Sequence, residues 1–143
     1  MPNSDQGGDV IKQSIEHYCA LRADRCRSFT SLGMRRYLSA LQHVSAVIGN
    51  SSSGLVEVPS VHIPTLNIGD RQKGRPHGLS VLDCGSDYGA IVAGLNTVLS
   101  PAFRHLARTA ANPYEKANTA QSIFDVIRTY PLEQLNQKSF YNL

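Results

Sequence analysis

Short apolar runs that end at glycine or polar residues alternate along the chain with segments of helical periodicity. The length and the boundaries of the short apolar runs are typical of buried strands. These runs lie at residues 26–32, 45–49, 65–68 and 79–82. Between and after them, apolar residues recur every three to four positions, as on one face of an amphipathic helix. Helices are predicted over residues 10–21, 34–44, 88–99 and 113–130.

Strands that alternate with helices of this length are typical of βαβ units, whose parallel strands are joined by right-handed crossovers. The chain has 143 residues, of which 41% are hydrophobic. That is enough for the core of one ordinary domain and too little for two. We therefore expect one α/β domain with a parallel sheet over residues 1–131. Residues 1–3 resemble the exit of a strand, because the start of a helix follows at once.

The segment after the last predicted helix, residues 132–143, carries several large apolar side chains. They are Leu135, Phe140, Tyr141 and Leu143. Apolar side chains of this kind need a surface that covers them. Two interpretations arise: the tail folds back on its own domain, or it packs against a partner domain that this sequence lacks. We expect the second, with the tail packing on a missing N-terminal domain.

Charge and composition exclude several classes of protein. Charged residues make up only 17% of the chain, whereas intrinsic disorder requires high charge and low hydrophobicity. The net charge of +3 is dispersed, and the pair Arg35 and Arg36 is interpreted as part of a solvated face, so nucleic-acid binding is not expected. No run approaches the roughly 20 apolar residues of a membrane span, and residues 1–8 lack the pattern of a signal peptide.

The three cysteines and five histidines do not follow a metal-ligand spacing. Cys19, Cys26 and Cys84 are widely separated, and the histidines form no HxxxH pair. We therefore expect reduced thiols in a cytoplasmic protein, with no metal and no cofactor.

A hydroxyl-rich loop follows the predicted strand 45–49. Ser51, Ser52 and Ser53 precede a predicted helix start, where free backbone N–H groups and the positive end of the helix dipole favour a phosphate. Gly54 is expected to let a ligand approach the backbone, and Glu57 is expected about one turn into that helix. A carboxylate there can accept hydrogen bonds from two neighbouring ribose hydroxyls. The alternative is that Asn50 and the serines only cap the helix.

A basic, glycine-rich loop follows the next predicted strand, over residues 68–78. It contains Arg71, Lys73 and Arg75. Because the carboxyl ends of parallel strands meet at one edge of a sheet, this loop is expected to lie beside the serine loop. Basic donors next to the serines predict an anion pocket.

The two loops together resemble a known family. Residues 48–57 read Ile-Gly-Asn-Ser-Ser-Ser-Gly-Leu-Val-Glu, and residues 63–75 read Ile-Pro-Thr-Leu-Asn-Ile-Gly-Asp-Arg-Gln-Lys-Gly-Arg. This pair resembles the C-terminal half of the hydrolysing UDP-N-acetylglucosamine 2-epimerases, and the likeness covers nearly the whole chain. It implies a Rossmann-like three-layer domain that forms one half of a glycosyltransferase-B arrangement and binds UDP in the cleft between two domains.

The resemblance also implies roles for single residues. It makes Ser51 and Ser52 the contacts of the phosphates, and it makes Glu57 the carboxylate that binds the ribose. Arg71 matches the basic residue that faces the nucleotide, and Leu32 matches the backbone position beside the uracil. A further ligand contact at the exit of the first strand corresponds to Asn3. For Gly49, Gly54 and Arg75, roles in backbone geometry and loop charge are equally open.

The family's reaction requires residues that this sequence does not contain. It removes the proton at C2 of the sugar, expels UDP, and hydrates the unsaturated sugar to N-acetylmannosamine. The carboxylates and the histidine that serve it belong to sequence upstream of Met1, so no catalytic residue is assigned here and the fragment alone is expected to be inactive. The expected partners are a UDP-sugar and the missing N-terminal Rossmann-like domain, and a homo-oligomer of the full-length protein is a further candidate.

Two other functions stay open at this point. One is the donor-binding half of a UDP-sugar glycosyltransferase, which shares the architecture and a similar ribose-binding carboxylate. The other is a non-catalytic nucleotide-binding or interaction module.

Overall fold

A computed structural model describes residues 8–131 of the chain. Its strands are β1 (Val47–Gly49), β2 (Thr65–Ile68) and β3 (Val81–Cys84). Its longer helices are α1 (Gly8–Leu21), α2 (Gly33–Leu41), α4 (Tyr88–Val98), α5 (Pro101–Thr109) and α6 (Thr119–Thr129). Between β1 and β2 lie a single α-helical turn, α3 (Ser53–Val56), and a 3-10 helix (Val58–Val61).

The three strands form one parallel sheet in the order β1-β2-β3. Val47 pairs with Thr65, and Thr65 pairs with Val81, so all three strands end at the same edge of the sheet. The predicted parallel sheet is therefore confirmed. In the described part of the chain β1 is an edge strand with one neighbour.

Helices cover both faces of the sheet. Consecutive side chains of a strand point to opposite faces. In β2, Thr65 contacts α3, since its Oγ1 donates to the carbonyl oxygen of Gly54 at 2.8 Å, whereas the next residue, Leu66, packs under Gly94 of α4. The layers are thus helix, sheet and helix, which is the Rossmann-like α/β architecture.

The core lies around the middle strand. Leu55 and Val58 on one face, and Leu66 and Val98 on the other, are completely buried. On the first face the core continues into a cluster of Leu41, Val58 and Ile63, with Tyr37 packed against it. This packing fixes α2 against the segment that follows β1, and these two elements border a groove at the carboxyl end of β1.

The predicted strand at residues 26–32 is wrong. This segment is irregular and mostly exposed. A strand requires a neighbouring strand to satisfy its backbone N–H and C=O groups, and no strand in residues 8–131 lies beside this one.

Two helices differ from the prediction. Helix α5 was not predicted, although Ser100 accepts a hydrogen bond from the Phe103 N–H at 3.2 Å and Pro101 occupies the first turn, a typical start signal. The last helix begins at Thr119 instead of residue 113. The preceding residue, Asn118, has a left-handed backbone conformation (φ 57°) that interrupts a helix.

Helices α1 and α6 contain no buried residue. Each nevertheless exposes apolar side chains, for example Tyr18 and Phe124. The apolar tail at residues 132–143 and the expected strand exit at residues 1–3 lie outside the described residues. Among residues 8–131, no helix is both long enough and apolar enough to cross a membrane.

One asparagine, in the loop before α6, forms hydrogen bonds to α3 and to the 3-10 helix. Asn112 Nδ2 donates to the carbonyl oxygen of Val56 at 2.9 Å and to Ser60 Oγ at 2.8 Å, and its Oδ1 accepts from the Tyr114 N–H. We expect Asn112→Ala to lower the free energy of unfolding by about 1–2 kcal/mol, because the replaced side chain leaves backbone groups unpaired.

Urea denaturation followed by circular dichroism measures this loss. Asn96→Ala, at an exposed position of α4, is the matched control and should change stability by less than about 0.5 kcal/mol. Equal stabilities for the two variants would show that the Asn112 hydrogen bonds contribute nothing.

Candidate functional site

A groove of about 750 Å³ runs along the carboxyl end of β1. Its apolar lining comes mainly from the segment before α2 and from α2 itself, and its polar lining comes from the loop after β1. The lining includes Phe29, Leu32, Met34, Tyr37, Leu38, Val47, Ser51, Ser53 and Glu57. The groove therefore brings together three residues that the sequence singled out, Leu32, Ser51 and Glu57.

The serine loop begins where β1 ends. Ser51 Oγ accepts a hydrogen bond from the Ser53 N–H at 3.4 Å, and the carbonyl oxygens of Ser51 and Ser52 accept the first bonds of α3. Within residues 8–131 the N–H groups of Ser51 and Ser52 have no hydrogen-bond acceptor, so two adjacent donors remain for an anion. The capping role of the serines and a ligand role are thus compatible.

The helix that follows is short and ends before Glu57, which was expected inside it. It begins at Ser53, as expected, but α3 has a single turn, and a helix dipole grows with the number of aligned peptide units. Any anion at this loop therefore depends mainly on individual N–H and O–H donors.

Of the two roles left open for Gly54, the packing supports the one in backbone geometry. It is buried against β2, and a Cβ atom at this position would lie 2.8 Å from Thr65 Cγ2. A glycine is required here so that α3 can lie close to the sheet, because any side chain would push the helix away. Whether a ligand approaches the backbone of Gly54 stays a prediction.

Tyr37 joins the apolar and polar walls of the groove and was missed in the sequence. Its hydroxyl oxygen lies 2.5 Å from Ser53 Oγ, within hydrogen-bond distance. Its ring packs against the core cluster of Leu41, Val58 and Ile63. Tyr37 falls on the face of α2 that carries this cluster, but no sequence signal shows that its hydroxyl reaches a residue 16 positions away.

Glu57 directly follows the single turn of α3. Its backbone N–H donates to the carbonyl oxygen of Ser53 at 3.0 Å, and its exposed carboxylate contributes to the lining of the groove. Among residues 8–131 the carboxylate has no hydrogen-bond or ion-pair partner. The position therefore presents an unpaired acceptor beside the serine loop.

The basic loop is connected to the serine loop by a buried glutamine. Gln72 Nε2 donates to the carbonyl oxygen of Asn50 at 2.8 Å, and Gln72 is only 6% exposed. Arg71, next to it, is exposed and does not line the groove itself. Gln72 was not predicted as a site residue, since a glutamine among charged loop residues gives no sign of burial.

A second pocket lies at the carboxyl ends of β2 and β3. It has a volume of about 480 Å³. Asp83 accepts hydrogen bonds there from Asn67 Nδ2 at 2.7 Å and from His77 Nε2 at 3.1 Å. Burial, followed by the nearby carboxylates of Asp87 and Asp83, raises the pKa of the Cys84 thiol, which favours the protonated thiol at neutral pH.

Within the described residues, the large groove contains one carboxylate, Glu57. In the same part of the chain no group of three or more His, Cys, Asp or Glu side chains could hold a metal ion. Asn3 lies outside the described residues. The groove thus supplies anion and hydroxyl contacts and lacks a pair of facing acid and base groups.

The parallel sheet with helices on both faces defines a Rossmann-like α/β domain. The groove lies at the carboxyl end of a strand, which is the typical ligand position in that class. Residues 1–128 match the family model described as UDP-N-acetylglucosamine 2-epimerase. The chain belongs to this family.

Individual relatives agree with this assignment. The chain is 36% identical over 142 residues to the polysialic acid biosynthesis protein P7 of Escherichia coli, covering 99% of this chain and 36% of the relative. It is 30% identical over 143 residues to a hydrolysing UDP-N,N′-diacetylbacillosamine 2-epimerase of Legionella pneumophila, covering 98% of this chain and 36% of that protein. A hydrolysing GDP/UDP-N,N′-diacetylbacillosamine 2-epimerase of Campylobacter jejuni is 41% identical over 81 residues, which are 57% of this chain and 21% of the relative.

The chain thus spans about a third of the length of the first two relatives.

Proposed function

We propose that this chain is the UDP-binding half of a hydrolysing UDP-N-acetylglucosamine 2-epimerase. The observation that carries the proposal is the groove itself, in which Leu32, Ser51 and Glu57 meet at the carboxyl end of β1. Family membership and the names of the hydrolysing relatives support the reaction class. The complete enzyme converts UDP-N-acetylglucosamine and water to N-acetylmannosamine and UDP.

Each group in the groove has a chemical task in this proposal. The free N–H groups of Ser51 and Ser52 donate to the phosphates, and the Glu57 carboxylate accepts from the ribose hydroxyls. The uracil lies beside the backbone of Leu32, against the apolar wall of the groove. Arg71 is positioned by its neighbour Gln72, whose hydrogen bond joins the two loops, and adds a positive charge facing the nucleotide.

The acid and base of the reaction come from outside these residues in our proposal. General acid–base catalysis requires groups within hydrogen-bond reach of the reacting carbon, and Glu57 is assigned to the ribose. A second Rossmann-like domain, in the glycosyltransferase-B arrangement, supplies these groups and closes the nucleotide between the two domains. Residues 1–143 alone therefore bind UDP weakly and do not release N-acetylmannosamine.

Calorimetric titration of the chain with UDP, and with CDP and ADP for comparison, tests the binding step. We expect saturable binding of UDP, and Ser51→Ala should weaken it by about three- to tenfold through loss of a hydrogen bond to a charged group. Ser86→Ala, in the second pocket, is the matched serine control and should leave the affinity for UDP unchanged. Undetectable UDP binding, or equal affinities for the two variants, would contradict the proposal.

Activity is tested separately, by assaying release of N-acetylmannosamine from UDP-N-acetylglucosamine. The isolated chain should release none, and the full-length protein should release it. Transfer of the sugar to an acceptor by the full-length protein would identify a glycosyltransferase instead. Release by residues 1–143 alone would show that they contain the acid and base.

A further inference from the structure

A separate polar groove of about 310 Å³ lies at the opposite edge of the sheet from the proposed nucleotide groove. The segments that lead into β1 and β2 line it, through Gln42, Val44, Ser45 and residues 61–64. The remaining lining comes from Arg104 and Arg108 of helix α5. None of these residues lines the groove at the carboxyl end of β1.

The two arginines of this groove carry uncompensated charge. Arg104 and Arg108 are four positions apart on α5, so they are neighbours on one face of the helix, where like charges repel each other. Both are exposed, and within residues 8–131 neither side chain makes an ion pair or a hydrogen bond. The lining of the groove contains no carboxylate. A negative ligand would compensate both charges.

His62 lines this groove and has an unfavourable backbone conformation. It has a left-handed conformation, with φ 59° and ψ 37°, where it ends the 3-10 helix and its N–H donates to the carbonyl oxygen of Pro59 at 3.0 Å. Glycine adopts this conformation without strain, whereas a side chain with a Cβ atom is disfavoured there. A strained residue with an imidazole beside two unpaired arginines points to a use for that side chain.

The neighbouring surface is also positively charged. A further groove, lined by Arg35, Arg36 and His43, adjoins the first through the turn at residues 42–44. Within residues 8–131 Arg35 and Arg36 likewise have no ion-pair partner. Positive charges on adjoining grooves raise the local concentration of anions.

We propose that the groove of His62, Arg104 and Arg108 binds a small anion that carries a phosphate or a carboxylate group. Planar guanidinium groups donate paired hydrogen bonds to either group, and the volume of the groove admits a molecule of about the size of a sugar phosphate. The site is distinct from the proposed nucleotide groove and does not depend on it.

Titration of the whole protein with inorganic phosphate and, separately, with citrate tests the site and distinguishes the two ligand classes. An affinity for the anion that is unchanged by Ser51→Ala shows that the anion does not bind in the other groove. We expect saturable binding of at least one of these anions, weakened at least about tenfold in the variant with Arg104→Gln and Arg108→Gln, as expected for charge-assisted hydrogen bonds. Arg128→Gln, on α6 beside Asp125, is the control and should bind like the unaltered protein.

Absence of saturable binding, or equal binding by the double variant and the control, would overturn the proposal. Binding only of long polyanions, such as RNA or polyglutamate, would overturn it as well, since it would indicate a surface for a macromolecule.

Replacing His62 separates a ligand role from a structural one. We expect His62→Gly to raise the melting temperature by relieving the strained backbone and to weaken anion binding at the same time. His62→Asn tests the same point with a side chain that tolerates this conformation. If both variants bind the anion as tightly as the unaltered protein, the assignment of His62 to the site is wrong.

Discussion

Replacing Glu57 by glutamine should weaken UDP binding by about 10- to 100-fold, the largest effect on affinity that we expect from a single residue. A carboxylate that accepts hydrogen bonds from two ribose hydroxyls contributes about 1.5–3 kcal/mol, and 1.4 kcal/mol corresponds to a tenfold change in affinity. Removing a negative charge near the phosphates should by itself favour an anionic ligand. A loss of affinity would therefore show that the hydrogen bonds outweigh the repulsion.

A ligand without the ribose hydroxyls tests whether Glu57 contacts these hydroxyls. The unaltered chain should bind 2′,3′-dideoxy-UDP more weakly than UDP, whereas the Glu57→Gln variant should bind the two with nearly equal affinity. Glu16→Gln, an exposed carboxylate on α1, is the matched control and should not change the affinity for UDP. Tighter UDP binding by Glu57→Gln would indicate that Glu57 only repels the nucleotide and that the ribose lies elsewhere.

Leu66→Ala should have the largest effect on stability, lowering the free energy of unfolding by about 2–5 kcal/mol. Leu66 is completely buried in the middle strand. It lies under α4, where a Cβ atom at Gly94 would come within 2.6 Å of Leu66 Cδ1. Gly94→Ala should accordingly destabilise the chain by about 1–3 kcal/mol through overpacking.

The double variant with Leu66→Ala and Gly94→Ala should lose less free energy of unfolding than the sum of the two single losses. Truncating Leu66 removes the atoms that a methyl group at position 94 would meet, so that methyl group can occupy part of the space left in the core. Chemical denaturation with a constant m-value measures the coupling, expected at about 1–3 kcal/mol. Leu79→Ala, at a leucine that is 68% exposed, is the control. Additive losses would mean that α4 shifts away from the sheet in the Gly94 variant.

The parallel sheet could be predicted because its strands combine apolar runs with clear ends. The predicted run at residues 65–68 coincides with β2, and the runs at 45–49 and 79–82 overlap β1 and β3. The run at 26–32 has a similar local pattern but forms no strand, because strand formation also depends on a neighbouring strand, which local sequence does not reveal. Long-range pairing therefore decided between these similar patterns.

The site could be predicted only where residue type and loop position were informative. Leu32, Ser51 and Glu57 are separated by up to 25 positions and share one groove, as their assignment implied. Tyr37 and Gln72 could not be predicted, since each acts through a hydrogen bond to a residue that only the folded chain brings near. The ligand-binding roles of all six predicted residues stay predictions: Leu32, Ser51, Glu57, Ser52, Arg71 and Asn3.

The buried side chain of Gln72 also affects the entropic cost of binding a ligand in the groove. Its hydrogen bond to Asn50 spans 22 positions of sequence and joins the loop after β1 to the loop after β2. Folding therefore already restricts the relative motion of the two loops, and a ligand that contacts both need not supply that ordering when it binds. In this respect the groove is preorganised: part of the entropic cost of recognition is met when the polypeptide folds.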